Sequence, residues 1–62
     1  MFFEATISNL YFRYDGGTVI EVSRVGDKDR VVLHEIYTKE LEDRKSFDKE
    51  ISFWFMERGN DF

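Results

Sequence analysis

Residues 51–57 read Ile-Ser-Phe-Trp-Phe-Met-Glu, and the fold turns on whether they form a strand or a helix. As a strand, Ile51, Phe53 and Phe55 alternate with Ser52, Trp54 and Met56. The stretch holds no Ala or Leu, whereas Phe, Trp and Ile suit a pleated surface. As a helix, Phe47, Ile51, Trp54 and Phe55 share one stripe, Ser46 stands as a cap and Asp48 lies near the positive end. Gly59 then falls where helices often stop. That stripe leaves Phe53 and Met56 outside it. Composition favours a fourth strand, which would pair with residues 2–7 and bring the chain ends together. The other solution is a C-terminal helix packed on the sheet.

Just upstream, residues 39–50 (KELEDRKSFDKE) are mostly charged, with both signs mixed. They read as a short charged helix or a loop. Thr38 is placed to cap a turn running to Lys45, anchored by Leu41.

The first half of the chain carries β-branched and aromatic runs separated by glycine-containing turns. The run from Phe2 to Tyr14 changes phase: Phe3, Ala5 and Ile7 share one parity, Leu10, Phe12 and Tyr14 the other. A bulge or kink near Ser8-Asn9 reconciles them, because one extra residue switches the inward face. Asp15-Gly16-Gly17 reads as a three-residue hairpin loop. Tyr14 then faces Thr18, Phe12 faces Ile20 and Leu10 faces Val22.

A third run, Arg30 to Thr38, returns through Gly26 to Asp29. A four-residue loop sets Val22 against Leu33 and Arg24 against Val31. A loop of different length sets Ile20 against Ile36. Apolar groups on both faces (Val31, Val32, Leu33, Ile36, Tyr37) suggest a central strand or one that meets a partner. The expected fold is α+β, leaning mainly β. It is a small antiparallel meander sheet of three to four strands in one compact domain, residues 1–62.

With 62 residues, no cysteine and no proline, the chain is at the short end of what folds alone. Its eleven aromatics (seven Phe, three Tyr, one Trp) supply large buried areas where length cannot. Cysteine absence fits a reducing, cytoplasmic address and argues against a secreted disulfide scaffold. The longest apolar run, Phe53 to Met56, is too short for a transmembrane helix. The net charge of −4 disfavours non-specific binding to nucleic acid or anionic membranes.

Chemistry-bearing patterns are sparse. The single histidine, His34, lies opposite Glu21 in the first register above, a pair a general base would need. A surface cross-strand pair is the simpler account. Gly16-Gly17-Thr18 lacks the lysine and spacing of a phosphate loop. Asp27-Lys28-Asp29 lacks the further oxygens of a calcium loop. No catalytic residue, metal site or cofactor is assigned.

Two clusters point to binding. Phe53, Trp54, Phe55 and Met56 present more apolar surface than so short a chain easily hides, and Trp, Phe and Met are enriched in interface cores. Glu40, Glu42 and Asp43 add an acidic flank. Together they suggest a non-enzymatic protein-interaction module and homodimer. Such a chain would be a stoichiometric inhibitor or regulator of the phage or mobile-element type, acting by occupying a surface of a larger protein. The second cluster is Tyr11 and Arg13, with Arg24, Lys28 and Arg30 nearby. Aromatic and basic groups interleaved on a sheet face can bind single-stranded nucleic acid.

Overall fold

The computed structural model describes residues 1–62. Four antiparallel strands run in the order β1 (Phe3–Ile7), β2 (Leu10–Tyr14), β3 (Val19–Arg24) and β4 (His34–Tyr37). A helix, α1 (Arg44–Arg58), follows and ends in a 3₁₀ turn over Gly59–Asp61. The architecture is a four-strand meander with one C-terminal helix on it, a mixed α+β fold.

Residues 51–57 are therefore helical, and the expectation of a strand there is corrected. The fourth strand comes instead from the first run, which splits at Ser8-Asn9. Ile7 pairs with Leu10 across a two-residue turn, and Ser8 takes a positive φ of 56°. The phase change read at Ser8-Asn9 is thus a hairpin, and the turn itself flips the inward parity. The sheet thus reaches four strands without the C-terminal segment, and the outer edge of β1 stays unpaired. Residues 51–57 are left to cover the sheet's apolar face, and on that face a helical stripe serves better.

The helix begins later than Thr38. Residues 38–43 are irregular, and Asp43, not Thr38 or Ser46, is the N-cap. Its carboxylate accepts the Ser46 N–H at 2.8 Å, satisfying one of the orphan donors of the first turn. Leu41 does anchor the segment and is buried. Phe47, Ile51 and Trp54 supply the helix's inward stripe.

Two registers differ from expectation. Tyr14 pairs with Ile20, Phe12 with Val22 and Leu10 with Arg24, two residues further along β3 than a three-residue loop would give. The Tyr14 hydroxyl explains the wider loop, because it donates to the Gly17 carbonyl at 2.7 Å and folds the turn onto the ring. In the same turn, Gly16 has a φ of 101°, and a Cβ there would lie 2.9 Å from the Met1 nitrogen. Between β3 and β4 the second register holds: Ile20 faces Ile36 and Val22 faces His34. β4 is an edge strand, not a central one. Val31 and Val32 lie in the exposed loop before it.

The core is the space between sheet and helix. Leu10, Phe12, Tyr14, Ile20, Val22 and Ile36 from the strands meet Leu41, Phe47, Ile51 and Trp54. Aromatic contacts fix how α1 crosses the sheet. Its first turn lies over β1 and β2, with Phe47 5.5 Å from Phe3 and 6.4 Å from Tyr14. Its later turns lie towards β4, with Trp54 edge-on to Phe12 at 5.7 Å and stacked on His34 at 5.3 Å. No helix is long and apolar enough to cross a membrane.

Candidate interaction surface

The cluster Phe53–Met56 divides in two. Trp54 is buried, and its ring packs between Phe12, His34 and Phe62. It is unavailable to a partner, so its assignment to a contact surface is corrected. Its indole N–H is buried and donates to nothing. Phe55 is half-buried, folded back so closely over Gly59 that a Cβ there would lie 2.6 Å from its ring. Phe53 and Met56 point outward and are 63% and 82% exposed. A helix rotates 100° per residue, so four consecutive side chains cannot share one face.

Phe53 borders a groove. One hollow of about 300 Å³ is lined by Lys49, Glu50 and Phe53. Lys49 and Glu50 also line a larger hollow of about 370 Å³ between the helix and residues 38–43. Glu40, Glu42 and Asp43 all lie along it. The structure thus brings the acidic flank and the exposed helix side together. Lys49 and Glu50, two of the mixed charges of 39–50, join this surface. Their signal is spacing, four and three residues before Phe53 on a helix. The Asp43 carboxyl is held below its usual range by its hydrogen bonding at Ser46, so the cap is anionic at neutral pH.

The second cluster lies on the opposite, outer face of the sheet. The Arg30 guanidinium sits 4.8 Å over the Tyr11 ring and donates to its hydroxyl at 3.2 Å. The Tyr11 hydroxyl in turn donates to the Glu4 carboxylate. Burial, and then that carboxylate, push the phenol pKa up. Arg24, Lys28 and Arg30 line one hollow beside Tyr11, and Arg13 and Arg30 line another. The four basic residues do gather around Tyr11. Acidic groups gather with them: Arg13 lies between Glu4 and Glu21, and Glu21 faces Glu35 on β4. One ring face of Tyr11 is already taken by a cation of the same chain.

The pairing of Glu21 with His34 is corrected. Glu21 faces Glu35, and His34 is on the core side between the rings of Trp54 and Phe62. The Asp27 carboxylate accepts the N–H groups of Asp29 and Val31, both at 3.1 Å, and so organises its own loop. Compared with protein-family models, with curated proteins and with solved structures, the chain matches none.

Proposed function

We propose that the chain is a non-enzymatic protein-interaction module. It would act as a stoichiometric inhibitor or regulator, of the kind phages and mobile elements carry. Its contact surface is the outer side of α1, centred on Phe53 and Met56 and continued by Glu40, Glu42 and the groove beside them. One observation carries the reading: two large apolar side chains stand in water on a rigid helix whose other face is fully used in the core. A small surface of this kind gains most when such groups are desolvated at the centre of a contact. The cysteine-free composition supports a cytoplasmic setting.

Affinity capture from host lysate with the wild-type chain and with Phe53→Lys/Met56→Lys tests the reading. A protein retained by the first and lost by the second supports it. Identical capture by both removes it.

A second reading is single-stranded nucleic-acid binding at Tyr11. It draws on the convergence of Arg13, Arg24, Lys28 and Arg30 on one aromatic ring. Oligonucleotide binding that weakens with salt and with Tyr11→Ala supports it. No binding at low salt removes it.

A further inference from the structure

The outer side of α1 has an internal charge order that the apolar reading does not use. Stepping by four residues along the helix gives Lys45, Lys49, Phe53 and Glu57, one i±4 ridge. Asp61 follows, exposed, in the 3₁₀ turn. All are exposed, and none has an ion-pair partner; the one salt bridge in the chain joins Arg44 and Asp48. The ridge is basic before Phe53 and acidic after it. That order opposes the helix's own dipole, which favours acidic groups at the start and basic ones at the end. Stability of the isolated helix therefore does not account for it.

It is the order that a second, antiparallel copy of the same helix would complement. We propose that the partner of this surface is another copy of the chain, packed ridge against ridge about a two-fold axis at Phe53. The two Phe53 rings meet at the axis. Four residues to either side, Lys49 of each chain faces Glu57 of the other, and the symmetry makes this contact twice. Lys45 and Asp61 extend the same polarity outward. By the same symmetry Met56, three residues after Phe53, lies opposite Glu50, three residues before it, so the apolar centre of the seam is the Phe53 pair. The two helix dipoles oppose each other, which also favours the antiparallel sense. A seam of one short helix per chain is at the small end of specific interfaces, so the dimer dissociates on dilution. A larger protein reaches the ridge only in competition with the second copy.

This inference rests on reading the outer side of α1 as a contact surface, and a charge-swap series tests it separately. Sedimentation or light scattering over a dilution series up to millimolar concentration reads the mass, beginning from the 7.5 kDa monomer. Lys49→Glu and Glu57→Lys each place like charges across the seam twice and are expected to weaken association by about tenfold or more. An equimolar mixture of the two variants restores opposite charges at both contacts and re-forms the dimer. The double variant Lys49→Glu/Glu57→Lys self-associates again. Both positions are exposed, and unchanged circular dichroism checks that the fold is intact.

A wild-type chain that stays monomeric at millimolar concentration overturns the dimer. So does a dimer indifferent to both single swaps, or a mixture that fails to recover. If the chain is monomeric yet still captures a host protein through Phe53, self-association falls and the contact surface stands. If the charge rule holds and nothing else is captured, the second copy is the partner and the larger-protein reading falls.

Discussion

The hydroxyl of Tyr14 accepts the backbone N–H of Leu41 at 2.8 Å, across 27 residues of sequence. The same hydroxyl donates to Gly17. One buried atom thus ties the β2–β3 turn to the irregular segment that leads into α1. That segment has no regular structure of its own, so this bond fixes where the helix starts relative to the sheet.

Tyr14→Phe keeps the ring and strips both bonds. It leaves the Leu41 N–H buried without a partner, which costs about 1–3 kcal/mol. Chemical denaturation should show that loss with an unchanged slope. Hydrogen exchange should show faster opening around Leu41 than in β2.

Asp43 gives α1 a pH dependence. Its folded pKa lies below the ordinary 3.8, because the charged form accepts hydrogen bonding at Ser46. The cap's contribution is therefore complete above pH 3.8 and is lost as pH falls through the depressed value. Asp43→Ala should lower the melting temperature at neutral pH, and the gap to wild type should close in acid. Asp43→Asn, a good cap without a charge to titrate, should hold most of the helix at both extremes. Melting curves followed by far-ultraviolet circular dichroism at several pH values read all three.

Trp54 combines a large buried ring with an orphan N–H. Trp54→Ala opens a cavity under Phe12, His34 and Phe62 and should cost about 3–5 kcal/mol. That is enough to unfold most of a domain this small at ambient temperature. Trp54→Phe also loses volume, but it removes a buried donor with no acceptor. The two effects offset, and a loss of about 1 kcal/mol or less is expected. A denaturation midpoint close to that of Trp54→Ala would show that the N–H is satisfied in solution.

The two hairpin turns should respond to substitution with opposite signs. Ser8 holds a φ of 56° that costs an L-residue energy, so Ser8→Gly should stabilise by up to about 1 kcal/mol. Gly16→Ala places a Cβ against the Met1 backbone at a φ of 101° and should destabilise by about 1–3 kcal/mol. Differential scanning calorimetry of the pair checks both signs.

Local patterning alone sets the strand-forming runs, the phase change at Ser8-Asn9, the turn at Gly16-Gly17 and the inward parity of Leu10, Phe12, Tyr14, Ile20 and Val22. These are local: side-chain alternation and backbone preference act within a few residues. It also located Leu41 as an anchor and Phe53 and Met56 as the side chains a helix would leave outside. The register of β3 on β2 needed the tertiary structure, since a shift of two residues leaves the same side chains inward and periodicity cannot detect it. The state of residues 51–57 needed it for a different reason. A short aromatic run satisfies either period, and the choice falls to whichever surface is still unpaired. The outer edge of β1 is open too, but the larger exposed surface is the sheet's apolar face, and residues 51–57 cover it. That choice buried Trp54 and left Phe53 in water, and it set Lys49 and Glu57 on one ridge.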